Sequence, residues 1–481
     1  AYSNGNGINV GSPGVGFGGN YNNNPNTAGG GGHFKGEIDE VRLYGRTLTL
    51  AEVQSRAQNQ PVAAYAYDAL SRRTSVTLSN GTQSTYSYDP ASQVTNILHQ
   101  MTATSTQINK AEYLYNGVGN RTSLTDRRGP QTFGYDTLDR LTSASHPLLL
   151  DPQAFAYDLV GNRTTGGSVV NASNQLTADA NFTYQYDENG NLTKKTLLAN
   201  GNHTDYTYDA ENRLIQLQEF AAGNPTATTT STYRYDGLGR RIEKVANGQT
   251  KRYIYDSEDI LLEYDGANVL QARYTHGSGI DEPLAVTQGA STFFYHQDGL
   301  GSVTELTDSA GAVAKAYAYD AYGNILEAPG TVNQLYSYTG REFDVESGLY
   351  YYGARYYDPN SGRFLQKDPI GFWGADINLY RYVLNGPVNN VDPRGTDIAV
   401  IENRATAGNP AGHTAIAISG YGVLSYGNGT QLGTDLSSYV ARESANRETL
   451  IYLIRTTPDQ DAAALASLLG EEGRLDRKSV V

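Results

Sequence analysis

Carboxylates placed before prolines are the groups in this chain best suited to chemistry of their own. Besides Asp89, which ends a Tyr-x-Tyr-Asp copy discussed below, Asp-Pro occurs at Asp151, Asp358, Asp368 and Asp392. Two carboxylates held close together do not both ionise readily. One keeps its proton and can donate to a carbonyl oxygen, while the other can take a proton from water. That division is general acid–base hydrolysis of an amide. Asp-Pro is equally an ordinary way to start a turn, because proline restricts the residue before it. Spacing alone singles out none of the four. A second candidate is His413, in Gly412-His-Thr-Ala-Ile-Ala-Ile418, the one histidine after Gly395. An imidazole there could serve as a general base, although a lone histidine at a strand start is more often a surface residue. The 481 residues contain no cysteine, which excludes a thiolate nucleophile, a disulfide framework and a thiolate zinc site within them. No cofactor and no metal is expected.

The composition says what kind of scaffold must position such groups. Formal charge is 36 − 50 = −14, which argues against a scaffold that grips nucleic acid, since backbone binding needs a basic surface. Hydrophobic residues make up 38% and mean hydropathy is −0.50, low for one large conventional core. No apolar run approaches the roughly 18 residues of a membrane span. Against this stand 38 Tyr and 53 Gly. Tyrosine favours strands and amphipathic surfaces, and glycine favours turns. The chain opens on Ala1 with no basic or apolar leader region, and its one methionine is Met101. It is read as a fragment, so the missing leader says nothing about secretion.

A repeat organises the chain. Tyr-x-Tyr-Asp appears at Tyr65–Asp68, Tyr86–Asp89, Tyr184–Asp187, Tyr206–Asp209, Tyr233–Asp236 and Tyr253–Asp256. Variants stand at Tyr113–Asn116, Phe133–Asp136, Phe155–Asp158 and Tyr317–Asp320. Between Tyr67 and Tyr255 the spacing runs from 20 to 29 residues, a period that signals a repeat architecture. Strand alternation puts both aromatics of a copy on one face. The aspartate suits the first position of a type I turn. Three residues later come Ser71, Ser92, Gly119, Asp139, Gly161, Gly190, Asn212, Gly239 and Gly323, all turn formers. Each copy therefore reads as one β-hairpin, and stacked copies make a long antiparallel sheet, coiled or closed to limit exposed edges. The Asn-x-Ser/Thr sequons at Asn80, Asn120, Asn162, Asn181, Asn191 and Asn202 read as the same turn-then-strand pattern, not as glycosylation sites.

This array resembles the YD repeats of RHS (rearrangement hot spot) proteins, a superfamily that includes teneurins and the C components of Tc toxin complexes. Residues 59–270 carry the repeats, and residues 271–395 resemble the RHS repeat-associated core. The core motifs are Tyr295-His-Gln-Asp-Gly-Leu-Gly-Ser-Val303, Gly348-Leu-Tyr-Tyr-Tyr-Gly-Ala-Arg-Tyr-Tyr-Asp-Pro359, Asp368-Pro-Ile-Gly371 and Pro387-Val-Asn-Asn-Val-Asp-Pro-Arg-Gly395. The resemblance implies a mainly β fold: YD hairpins spiralling into a hollow β-shell, closed by the core, around a cavity that encapsulates the polypeptide encoded just downstream. It also implies that the core cuts its own chain after Pro-x-x-x-x-Asp-Pro-x-Gly by an aspartyl-type mechanism. Asp392 sits in that motif, Asp368 matches the upstream Asp-Pro, and Arg355 matches an arginine that supports the same site. The expected cut is Thr396–Asp397. Thr396 stands where the family usually has leucine, a departure that bears on the efficiency of the cut. The competing reading is a cluster of turns that closes the shell without cutting.

The two ends belong to other modules. Phe34-Lys-Gly-Glu-Ile-Asp-Glu-Val-Arg-Leu-Tyr44 with Leu48 and Ala51-Glu-Val53 resembles the end of a LamG-like jelly roll. Residues 1–58 are assigned to that remnant and its linker, with a glycan as a possible partner, and Asp39 and Glu40 are read as strand-edge charges. Residues 396–475 read as the start of a variable toxin domain, a truncated small α/β domain. Its strands are expected at Asp397–Ile401, Thr414–Ile418 and Tyr421–Tyr426, with a helix from Gln460 to Leu469. The strand opened by His413 resembles the histidine-first strand of circularly permuted papain-like hydrolases. Residues 476–481, Asp-Arg-Lys-Ser-Val-Val, match the translation of a sequencing-library adapter and are read as read-through. The whole reads as a secreted or cell-surface polymorphic toxin fragment. Its shell would house and release a C-terminal effector, with a cognate immunity protein and secretion machinery as partners. The alternative is a surface adhesion protein binding glycan or protein through a purely structural shell.

Overall fold

Antiparallel pairing between sequence neighbours builds nearly everything in the described part of this chain. The structure, a computed structural model, describes residues 62–371 and 376–396, and beyond them the backbone of strands Ile398–Asn403, His413–Ile418, Gly422–Ser425 and Thr449–Ile454. The chain divides into two units, Ala1–Gln60 and Pro61–Val481. The first unit, with the LamG-like segment, lies outside the described residues, as do residues 460–469 and 476–481.

Two long meanders hold the repeats. A nine-stranded sheet runs from Ala63–Tyr67 to Gln153–Ala154, and a fifteen-stranded sheet runs from Val169–Val170 to Val313–Ala316. In both, strand order follows chain order, and neither sheet closes on itself. The second sheet passes residue 270 unbroken: Leu270–His276 pairs with Asp259–Asp265 on one side and Pro283–Gln288 on the other. A short hairpin, Ala318–Tyr319 with Ile325–Glu327, follows. A four-stranded sheet of Glu342–Asp344, Leu349–Tyr351, Tyr356–Asp358 and Arg363–Phe364 comes next. The described helical pieces are 3-10 turns at Tyr338–Gly340 and Val383–Asn385. The fold is thus mainly β, as expected.

The aspartate of each repeat organises a turn with its side chain. Asp68 Oδ1 accepts the amides of Leu70 and Arg72, both at 2.9 Å, while Ser71 N donates to the Asp68 carbonyl at 3.0 Å. The fourth residue must then adopt left-handed backbone, with φ of 60° at Ser71, 64° at Ser92 and 62° at Asn212, and glycine in copies such as Gly161 and Gly239. The fifth residue closes the turn by donating to the second carboxylate oxygen. Arg72, Arg140 and Arg213 do so through Nε at 2.7 Å, and Asn162 and Asn191 through Nδ2 at 2.9 Å. Asn162 and Asn191 are buried, which is why the sequons they head are turn chemistry.

After each turn the register slips. Tyr67 faces Arg73 while Ala66 faces Ser75, so Arg73 and Thr74 together oppose one tyrosine in a β-bulge. The Arg73 carbonyl at this bulge is taken by the next repeat, whose second tyrosine, Tyr88, donates its hydroxyl at 2.7 Å. The contact recurs as Tyr115 to Val94, Tyr135 to Arg121, Tyr157 to Leu141, Tyr208 to Leu192, Tyr235 to Leu214, Tyr255 to Arg241 and Tyr319 to Val303. The acceptor always lies five residues past the preceding turn's first residue. The first aromatic of a copy makes no such bond. It packs by its ring, and Tyr65, Tyr233 and Tyr253 have buried hydroxyls with no partner among the described residues. That asymmetry explains why phenylalanine appears at the first position, at Phe133 and Phe155, and never at the second.

The four-stranded sheet and its flanks pack on the tyrosine-lined face of the second meander. Leu349, Tyr351, Tyr356 and Leu365 share one core cluster with Tyr184, Tyr206 and Tyr233. Ions pin the same interface. Buried Arg241 binds Asp344 at 2.5 Å and Glu342 at 2.6 Å, Lys244 binds Asp344 at 2.7 Å, and Lys195 binds Asp358 at 2.8 Å. In the tail, the expected strands are present as Ile398–Asn403, His413–Ile418 and Gly422–Ser425. A fourth strand, Thr449–Ile454, pairs with the first. It was missed because Thr449-Leu-Ile-Tyr-Leu-Ile454 shows no alternation.

Two substitutions in one strand separate the hydroxyl bond from ring packing. Tyr255→Phe strands the bulge carbonyl of Arg241 and is expected to cost about 1–2 kcal/mol. Tyr253→Phe removes an unpartnered hydroxyl and is expected to be neutral or stabilising. Urea midpoints of the two variants measure the difference, and equal midpoints would contradict the bulge bond.

Candidate active site

Three turns, not strands, bring the candidate catalytic residues together. Arg355 ends the turn between Leu349–Tyr351 and Tyr356–Asp358, closed by Tyr352 N donating to the Arg355 carbonyl at 2.9 Å. Asp368 opens the turn after Arg363–Phe364. Its amide donates to the Leu379 carbonyl at 2.8 Å, and its Oδ1 accepts the Ile370 amide at 3.0 Å. Asp392 lies in the Pro-rich loop that ends the core, and its Oδ1 accepts the Thr396 amide at 3.1 Å.

The arginine is the bridge. Arg355 Nη2 stands 3.0 Å from Asp368 Oδ2 and 3.1 Å from Asp392 Oδ2. Its Nη1 donates to the Leu379 carbonyl at 3.3 Å. Its guanidinium carbon lies 3.6 Å from the centroid of the Phe364 ring, a cation–π seat. Side-chain exposure is 3% for Arg355, 14% for Asp368 and 6% for Asp392, so the cluster is shielded from bulk water.

Burial pushes the Asp368 carboxyl up to about 6, against the pull of Arg355, and the Asp392 charge adds a smaller upward push. Repulsion between the carboxylates, the origin expected from sequence, is the smaller cause. The larger cause is desolvation, because the guanidinium between them relieves much of the repulsion. A carboxyl of this kind holds its proton part of the time near neutral pH, which suits a general acid.

The segment after Asp392 lies against this cluster. Ala354 N donates to the Arg394 carbonyl at 3.3 Å. Gly395 has φ of 69°, and a Cβ there would sit 3.2 Å from Arg355 Nε and 3.4 Å from the Tyr352 carbonyl. Only glycine lets the backbone pass so close to the guanidinium.

Of the residues singled out from sequence, Arg355, Asp368, Asp392 and Thr396 converge here. Asp397 lies outside the described residues. His413 is the first residue of its strand, paired with Asn403 in the backbone ladder, and its side chain is outside the description. Asp358 is a structural pin, its carboxyl held low by Lys195 despite burial, and Asp151 is exposed. Phe364 and the Leu379 carbonyl were not foreseen, because nothing local in the sequence marks a ring or a carbonyl as the seat of an arginine. Among the described residues, no group of three or more His, Asp or Glu side chains has the arrangement of a metal site.

A family profile described as Teneurin YD-shell matches residues 35–220 and 120–388. Among curated proteins, the tRNA3(Ser)-specific nuclease WapA of Bacillus spizizenii is 39% identical over 272 residues, covering 53% of this chain and 11% of that protein. Double-stranded DNA deaminase toxin A of Burkholderia cenocepacia is 32% identical over 384 residues, covering 71% of this chain and 26% of that protein. The chain thus spans a minor part of the length of either relative. Among solved structures, the TcdB2-TccC3-Cdc42 crystal structure superposes with a TM-score of 0.52 at 21% identity, covering 70% of this chain and 20% of that one. This last likeness is one of fold.

The cradle around the guanidinium is testable by adding one methyl group. Gly395→Ala combines left-handed strain with a contact that forces Arg355 to shift, and is expected to lower stability by about 1–2 kcal/mol. Thermal melting measures it, and an unchanged melt would remove the close approach.

Proposed function

The chain belongs to the Teneurin YD-shell family, and from that premise we propose that it is the shell portion of an RHS-type toxin that releases its own C-terminal segment by aspartyl hydrolysis. The observation that supports this most directly is the arrangement of Arg355. One guanidinium nitrogen holds both Asp368 and Asp392, while Asp392 also holds the amide of Thr396. Catalytic carboxylates and peptide are thus in contact without any diffusing substrate.

In the proposed reaction Asp368 carries the proton and Asp392, beside Arg355, acts as base. Water attacks the carbonyl carbon of Thr396 and gives a proton to Asp392, while Asp368 donates to the carbonyl oxygen. Collapse breaks the bond to the Asp397 nitrogen, which leaves with a proton from Asp392, while Asp368 takes its proton back from the diol and the new acid loses its remaining proton to solvent. The products are a new carboxylate at Thr396 and a new amine at Asp397. Tethering supplies the proximity that an ordinary hydrolase must obtain by binding. The shell would then hold the released segment, and delivery by secretion with an immunity partner follows the same reading. What the named relatives act on is a property of their own chains. For the residues after Gly395 the reading goes no further than cargo.

Two outcomes test this reading. Full-length chain is expected to yield a fragment beginning at Asp397, read by intact mass, and Asp392→Asn is expected to abolish it. An uncut wild-type chain would sink the proposal. The acid role of Asp368 sets a pH sign. Its proton is lost as pH rises through about 6, so cleavage during cell-free synthesis is expected to slow about tenfold per unit above pH 7. A rate flat from pH 6 to 8.5 would assign Asp368 another role.

A further inference from the structure

One repeat breaks the turn pattern, and it does so beside the scissile segment. In Tyr253-Ile-Tyr255-Asp256 the aspartate does not open the usual aspartate-capped loop. Asp256 pairs directly with Asp259, leaving Ser257 and Glu258 as a two-residue turn with φ of 54° at Ser257. The preceding repeat fixes this tip, because Arg240 Nη1 donates to the Ser257 carbonyl at 2.6 Å. The shortened turn places Glu258 against Arg394. Arg394 Nε meets Glu258 Oε2 at 2.8 Å and Nη2 meets Oε1 at 2.8 Å, a two-pronged guanidinium–carboxylate pair. Side-chain exposure is 13% for the arginine and 28% for the glutamate.

Resting on the self-cleavage reading, we propose that Glu258 forms a specificity subsite that binds the side chain of Arg394, three residues before the cut, and so holds the peptide across the carboxylates. Three contacts already grip the backbone of this segment: Ala354 N on the Arg394 carbonyl, the Gly395 cradle on Arg355, and Asp392 on the Thr396 amide. All three would admit many side chains at position 394. The Glu258 pair is different, because its planar fork reads a guanidinium and sets the rotation of the strand about its own axis. The subsite therefore prefers a basic residue, arginine above lysine, at the one variable position between Asp392-Pro393 and Gly395. Glu258 is a positioning residue. It touches the substrate chain away from the reacting atoms, and its effect falls on alignment.

Charge exchange in the full chain tests the subsite. Glu258→Gln and Arg394→Glu are each expected to slow appearance of the fragment about tenfold or more. The double variant Glu258→Arg with Arg394→Glu is expected to recover to within about threefold of wild type, since the pair is restored with its ends exchanged. Folding is read separately by thermal melting in the uncleavable Asp392→Asn background, where Glu258→Gln is expected to leave the melt unchanged. A Glu258→Gln chain cut at the wild-type rate overturns the subsite and leaves self-cleavage standing. A double variant no faster than Arg394→Glu alone also overturns it. Slowed cutting with a matching loss of melting temperature assigns Glu258 to hairpin stability and overturns it likewise. An uncut wild-type chain overturns both the subsite and the reading beneath it.

Discussion

The structure depends on one recurring hydrogen bond, from the second tyrosine of a repeat to the carbonyl left at the bulge of the repeat before it. An aspartate-organised turn forces the register to slip, and the slip turns one carbonyl out of the ladder. A carbonyl left so inside a packed face is costly unless something donates to it. The next hairpin brings a phenol, and the spacing of turn to acceptor is constant because the turn itself is constant. Neighbouring hairpins are therefore joined by ladder, ring packing and hydroxyl together. A chain of low hydrophobic content can then build a wide sheet without disulfides, since polar groups that would weaken an ordinary core are satisfied repeat by repeat.

That alignment is what the Arg355–Asp368–Asp392 cluster stands on. The tyrosine face receives Leu349, Tyr351 and Tyr356, and the buried Arg241–Asp344–Lys244 group fixes the angle of the strands carrying them. Removing one member of such a group leaves an uncompensated buried charge, so it specifies position more than it adds stability. Tyr352, Tyr357, Phe364 and Tyr382 then form a second aromatic layer. Phe364 presents its ring to Arg355, and that seat decides which carboxylates the guanidinium can reach. The site is two steps of packing away from the repeat bond.

Much of this was legible in the sequence where the physics is local. Turn positions were readable because an aspartate and a left-handed residue three places later impose a geometry within a few bonds. All nine turn formers from Ser71 to Gly323 have positive φ. Asp368, Asp392 and Arg355 were legible through family resemblance, not through spacing. The role of the second tyrosine was visible only as an unexplained bias against phenylalanine, because its acceptor lies 14 to 21 residues away. Glu258 gave no signal at all, since its partner is 136 residues distant. The origin of the Asp368 shift was also hidden. Burial depends on everything packed around a group, whereas like-charge repulsion can be guessed from two aspartates alone.

A cluster of two buried carboxylates and one guanidinium raises a question of economy in charge. Two ionised aspartates with one arginine leave a net negative site in a low-dielectric surrounding, and a single proton restores neutrality. The group that takes it should be the one least supported by hydrogen bonds. Asp392 has Arg355 and the Thr396 amide on separate oxygens, while Asp368 has Arg355 and the Ile370 amide. The counts are equal and the Asp392 side chain is the less exposed of the two, which leaves neighbouring charge to decide. Asp368 has a second acid, Asp376, pressing on it besides Asp392. The Thr396 amide belongs to the segment proposed to be cut, so under that proposal the support of Asp392 lasts only while the segment lies in place. An acid fixed by the shell and a base fixed partly by its own substrate form an arrangement that suits one turnover. Under that proposal the contact that aligns Asp392 would leave with the released segment.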